Sequence, residues 1–260
     1  MASESWTEDK LLDGRVTLLQ PRKGYRVAID PVLLAAAVPA RLGDHVLDLG
    51  SGTGAASLCL AARLEDIHVT GLELQGELVG LARKSANHSG LWERVSFVLG
   101  DILTPPKSVN GLKFDHVMAN PPFMAKGAGF PPSDPQKAAA NVEGDASLTD
   151  WLSIAKTSIK TGGTVTFVHR ADRQNELMAG FSSGPWSVTL YPLWPRDRKR
   201  APNRIIVHAR HGDRMAPVVA RGLVLHNTDG RYTEKANSVL RDCEPIDMQD
   251  LARVKGISLL

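Results

Sequence analysis

The sequence holds only two cysteines, Cys59 and Cys243, far apart and without the spacing of a metal site. That excludes a disulfide framework and suits two free thiols in a reducing cytosol. The eight histidines are scattered, so no metal site is expected. No apolar run is long enough to span a bilayer, and Leu33 to Val38 falls far short. The segment Met1 to Lys10 is polar and acidic and lacks the apolar centre of a signal peptide, so a cytoplasmic location is expected. No internal repeat, low-complexity tract or linker divides the chain. Its 260 residues therefore read as one domain, with an N-terminal extension (1–43), a core (44–210) and a C-terminal extension (211–260).

What is present is alternation. Asp30-Pro31 reads as a helix cap and first-turn proline before the apolar Val32 to Val38. Strands are expected at 45–49, 67–73, 94–99, 114–119 and 164–169, with helices at 55–64 and 77–88 between them. Ser147 to Asp150 resembles a capping box, and Leu148, Trp151, Leu152, Ala155 and Ile159 fall on one helical face behind it. Gly162-Gly163 is expected to end that helix. A short helix at 173–179 and strands at 187–193 and 204–209 follow. This order implies an α/β fold with a mostly parallel sheet covered by helices on both faces.

Between the first strand and its helix lies Asp48-Leu49-Gly50-Ser51-Gly52-Thr53-Gly54. Glycines there let a ligand approach the backbone and leave the helix N-terminus open. The spacing is G-x-G-x-G, not the G-x-G-x-x-G of dinucleotide enzymes. Asp48 puts a carboxylate where a pyrophosphate would be repelled, which argues against an NAD-dependent oxidoreductase and suits an amino-acid ammonium. Glu73, ending the next strand with Leu74 behind it, stands where an acid accepts from ribose hydroxyls. Asp101 follows the third strand and could accept from an adenine amino group, with Ile102 against the ring. Acids at three successive strand ends around a glycine turn point to S-adenosylmethionine (SAM).

The fourth strand runs into Asn120-Pro121-Pro122-Phe123. Two prolines remove two donors and stiffen the exit, presenting an amide, free carbonyls and an aromatic face together. A flat ring bearing an NH2 group could stack on Phe123 and donate to Asn120 Oδ1 and the Pro121 carbonyl. Alone, the tetrapeptide is better described as a Pro-Pro turn with a core phenylalanine; the neighbouring cofactor residues reverse that preference. Met124 to Ala146, with little periodicity, is expected to be a substrate loop. Trp194 to Arg214 carries seven basic residues against two acidic ones, in a chain whose net charge is only +3. Such a local excess fits a polyanion binder or a solvated loop.

Residues 46–54, 73, 100–102 and 120–123 resemble the successive motifs of class I SAM-dependent methyltransferases. The Asn-Pro-Pro-Phe form resembles their amino-methyltransferase branch. Gln20-Pro21-Arg22-Lys23-Gly24-Tyr25, then Ile29 to Leu34, is similar to bacterial enzymes that methylate N6 of an adenine beside the anticodon of a valine tRNA. The similarity spans about residues 10–230, with Ser51 where relatives often carry cysteine. It implies a Rossmann-like, seven-stranded, mostly parallel sheet with a small N-terminal extension. It also implies that Asp48, Gly50, Ser51, Gly52 and Gly54 hold the methionine part of SAM, Glu73 and Leu74 the ribose, and Asp101 and Ile102 the adenine. Asp30 would close over the cofactor, and Asn120 to Phe123 would hold the target base. Arg22, Lys23, Arg26, Arg196, Arg198, Lys199, Arg200 and Arg204 would meet RNA phosphates. Protein glutamine and ribosomal guanine-N2 methyltransferases use related sites, and an RNA-binding module could keep the fold without activity.

Overall fold

In a computed structural model, described for residues 5–23, 26–123 and 145–250, the alternation becomes a twisted sheet between two helical layers. Strands β3 (His45–Leu49), β4 (His68–Glu73), β5 (Val95–Leu99), β6 (Phe114–Ala119) and β7 (Ile159–Arg170) run parallel in the spatial order β5-β4-β3-β6-β7. Beyond β7, β9 (Arg204–His211) inserts antiparallel between β7 and β8 (Trp186–Trp194). The chain leaves β3 in one direction and returns as β6 on its other side. The carboxyl ends of these two strands therefore flank the crevice where open α/β sheets bind ligands.

Side chains alternate across the sheet because successive residues of a strand point to opposite faces. On β3, Val46 joins the core beneath α1 (Asp30–Ala37), α2 (Ala55–Arg63) and α3 (Gly76–His88), whereas Leu47 and Leu49 join the opposite core. That second core is covered by α4 (Leu148–Ser158) and α5 (Gln174–Gly180), through Trp151, Leu152 and Leu177. The same alternation turns Asp48 toward α2, which decides its surroundings.

Several expectations are corrected. Among the described residues the sheet has nine strands rather than seven, because β10 (Val218–Val219) and β11 (Leu223–Val224) each add a two-residue parallel pairing to β8. The N-terminal segment holds an antiparallel hairpin, β1 (Trp6–Leu11) and β2 (Val16–Pro21). It is pinned to α3 by Thr17 N donating to Ser89 Oγ (3.0 Å) and Leu19 N to Ser85 Oγ (2.9 Å). Helix α4 carries the capping box, with Ser147 and Asp150 bonding reciprocally, but it ends at Ser158. Gly162-Gly163 lie inside β7, where its pairing with β6 shifts register. The N-cap of α1 is Ile29; Asp30 sits in the first turn and makes no cap bond. A last helix, α6, spans Glu234–Arg241. Among the described residues, no helix is long and apolar enough to cross a membrane.

Candidate active site

A cleft of about 270 Å³ opens at the carboxyl ends of β3, β4, β5 and β6. Its floor is the glycine turn. Gly50 N and Ser51 N donate to the Leu72 carbonyl (2.8 and 3.1 Å), which binds the turn to β4. Gly50 has φ +65°, and a Cβ there would overlap the Trp151 indole arriving from α4. Gly52 has φ +57°, yet nothing lies within 4 Å of where its Cβ would stand. Gly50 is therefore glycine for packing, and Gly52 leaves space on the cleft wall. Gly54 caps α2 in the left-handed conformation, with no side chain over the helix N-terminus.

The three acids line this cleft in different states. Asp48 is buried, and Ser57 Oγ donates to its Oδ2 at 2.6 Å. Burial pushes its carboxyl up to about 7, against the pull of that hydrogen bond, and the nearby Glu73 charge adds to the rise. Glu73 is buried too, which raises it, while its two oxygens accept from Gly52 N (2.9 Å) and Gln75 N (2.8 Å). It clasps the glycine turn while facing the cleft. Asp101 Oδ1 accepts from Leu103 N at 2.9 Å. Ile102, buried, and Leu74, exposed, supply apolar wall beside the acids.

Across the cleft stand Asn120, Pro121, Pro122 and Phe123. Asn120 Oδ1 is buried and accepts no hydrogen bond from the described residues. Buried acceptors are nearly always paired, so an orphan on a cleft wall is an acceptor awaiting a donor. The Phe123 ring meets His169 edge-on, with centroids 5.4 Å apart. His169 Nε2 lies 3.3 Å from the Pro122 carbonyl. A carbonyl only accepts, so Nε2 carries the hydrogen. Burial holds the His169 imidazole down at about 4, so it is neutral at physiological pH.

A family model described as a methyltransferase domain matches residues 41–182. The chain belongs to the methyltransferase family. It is similar to proteins named tRNA1(Val) (adenine(37)-N6)-methyltransferase. The one from Tolumonas auensis is 26% identical, over 82% of this chain and 87% of its own. That from Bacteroides fragilis is 28% identical, over 68% and 71%. Among solved structures, a predicted O-methyltransferase from Agrobacterium tumefaciens superposes with TM-score 0.65 at 26% identity, covering 83% of this chain and 97% of that one. A SAM-dependent O-methyltransferase from Thermotoga maritima gives TM-score 0.53 at 19% identity, over 75% and 69%, a likeness of fold alone. The fold is thus that of the class I methyltransferases, and the methyl donor of this methyltransferase is SAM.

The cleft fits that donor on its own chemistry. Asp48 offers a buried carboxylate for an ammonium, Gly52 leaves room for the ligand, and Ser51 Oγ is a buried group with no partner among the described residues. Glu73 and Asp101 each keep unused carboxylate lone pairs for ribose and adenine donors.

Two sequence-based assignments change. Asp30 does not line the cleft; its carboxylate receives Arg204 Nε at 3.2 Å, while Pro31 beside it does line the wall. Arg204 is turned inward to Asp30 and to Phe123 rather than out with the basic turn. Arg196, Lys199 and Arg200 are exposed, and Arg198 lies 5.0 Å over the Trp194 ring, itself exposed. Arg22 and Lys23 are exposed at the end of β2, and Arg26 pairs with Asp9. Gly24, Tyr25 and 124–144 of the expected substrate loop lie outside the described residues. Val27 is a cleft residue that the sequence did not single out, Ala146 ends the expected substrate loop, and Gln20 and Trp151 were noted without a place in the cleft. Trp151 had read only as core. His169 could have been found as the residue ending the strand beside Asn120.

Proposed function

We propose that this methyltransferase methylates the exocyclic N6 of an adenine in tRNA, beside the anticodon. The observation that carries the reading is Asn120 Oδ1, a buried acceptor without a donor, beside the Pro121 carbonyl and the Phe123 ring. When bound, SAM supplies an electrophilic methyl group on a sulfonium. Phe123 would stack the base, contributing about 1–3 kcal/mol. Asn120 Oδ1 and the Pro121 carbonyl would accept the two N6 hydrogens. That draws the nitrogen lone pair out of the ring, points it at the methyl, and stabilises positive charge as it develops. No strong base is required, because the methylated nitrogen sheds its proton readily. His169, neutral, fixes the Pro122 carbonyl instead of taking a proton.

An amide nitrogen or a guanine N2 would pose the same problem to the cleft. The exposed cations at 196–200 and 22–23 favour nucleic acid, and the names of the similar proteins favour adenine in tRNA. An anticodon loop offers a base already partly unstacked, which lowers the cost of flipping it. A tRNA substrate supports a cytoplasmic location for the enzyme. The test supplies labelled SAM with total tRNA, ribosomal RNA and protein, followed by nucleoside mass spectrometry. Label in tRNA as N6-methyladenosine is expected; label confined to protein or to guanine would refute the reading.

A further inference from the structure

Three side chains from distant parts of the chain converge on the tetrapeptide without lining the cleft themselves. Arg204, at the start of β9, places its guanidinium carbon 4.4 Å from the centre of the Phe123 ring. Its Nε donates to Asp30 Oδ2 at 3.2 Å, and that carboxylate is buried at the first turn of α1. His169, wholly buried at the end of β7, takes the ring edge.

A cation is drawn to the face of an aromatic ring, and a planar guanidinium can lie flat on it. Among the described residues the side-chain partner of Asp30 is Arg204, and a buried carboxylate left unpaired is costly, so the ion pair anchors Arg204 in one place. Two prolines stiffen the backbone before Phe123 but leave its side-chain torsions free. Arg204 and His169 take up that freedom. Phe123 lines the cleft and Arg204 does not, so the guanidinium backs the ring and leaves the cleft side open.

We propose that Arg204, tethered by Asp30, is a positioning residue that acts through Phe123, holding the ring ready to receive the target base. A ring ordered before binding spares the substrate that ordering cost. The inference rests on the adenine reading of the cleft.

The test is steady-state methylation of unmodified tRNA at several salt concentrations, with SAM affinity measured by calorimetry. R204M is expected to raise the KM for tRNA about 3- to 20-fold. Its kcat and SAM affinity should stay within about twofold, and the salt slope of KM should not change, since no phosphate contact is lost. R204K should recover only part of the loss, because an ammonium has no plane to lay on the ring. D30N keeps the guanidinium but loosens its anchor, and should give a smaller rise; it also keeps the test open if R204M is unstable. In an F123L background R204M should add nothing. A salt slope lowered by about one would make Arg204 a phosphate contact and overturn the proposal. So would an R204M penalty that persists undiminished in F123L. A wild-type enzyme that methylates no tRNA would remove the adenine reading, and this inference with it.

Discussion

Asp48 should make cofactor binding release a proton. Burial places its carboxyl near 7 in the cofactor-free protein, from an ordinary 3.8. At pH 6 about one molecule in ten would then carry the charge, against about nine in ten at pH 8. A bound ammonium requires the charged form, so the Kd for SAM should rise about tenfold between pH 8 and pH 6. Calorimetry in buffers of different ionisation enthalpy should show about half a proton released per SAM at pH 7. The same group acts on stability with the opposite preference. An acid whose folded value is raised stabilises the native state below 3.8 and loses that contribution as pH climbs through 7. The loss is at most about 4 kcal/mol. Asp48→Asn should therefore weaken SAM binding and abolish its pH dependence, yet stabilise the cofactor-free protein at pH 8 in urea unfolding. A Kd that is flat from pH 6 to pH 8, with no proton released, would refute the reasoning.

Asn120→Ala should lower kcat about 10²- to 10³-fold, while SAM affinity measured by calorimetry stays within about threefold; near-normal turnover would remove the proposed role of its amide oxygen. Gly50→Ala and Gly52→Ala should separate packing from binding. The first forces Trp151 aside, adding about 1–3 kcal/mol in urea unfolding to the strain of a left-handed residue. The second should cost only the left-handed strain of about 1–2 kcal/mol but should weaken SAM binding more, because its methyl projects into open space. Charge reversal at Arg198 and Arg200 should raise the KM for tRNA and flatten its salt dependence by about two in slope. Filter binding that shows unchanged RNA affinity would return the basic turn to a solvated loop.

The parts of the site that were legible in the sequence share a cause. Asp48 and Glu73 stand at the ends of short strands and Asp101 and Asn120 just past them, and parallel strands bring their carboxyl ends to one edge whatever else the chain does. Local pattern was enough for them. It was not enough for Arg204, which stands in a run of cations and is drawn inward by a carboxylate 174 positions away. The hairpin of β1 and β2 escaped for a related reason. It carries little apolar alternation because β2 is buried along its whole length, with Val16 and Leu18 in the core, and two serine hydroxyls at α3 fix its backbone. Gly162-Gly163 looked like a helix stop because glycine serves equally well where a strand shifts register. Trp151 has the helical spacing of a core residue and is one; only the placement of α4 over the glycine turn also makes it a wall of the cleft.

Asn120 Oδ1 bears on when the product leaves. A buried acceptor without a donor costs about 1–3 kcal/mol, and an incoming NH2 relieves that cost. After one methyl transfer the nitrogen keeps a single hydrogen, which cannot serve both the amide oxygen and the neighbouring carbonyl. On the proposed reading the modified base would therefore fit its own birthplace worse than the unmodified one. Turnover and the restriction to a single methyl group would then share one origin, a surplus of acceptors built into the wall.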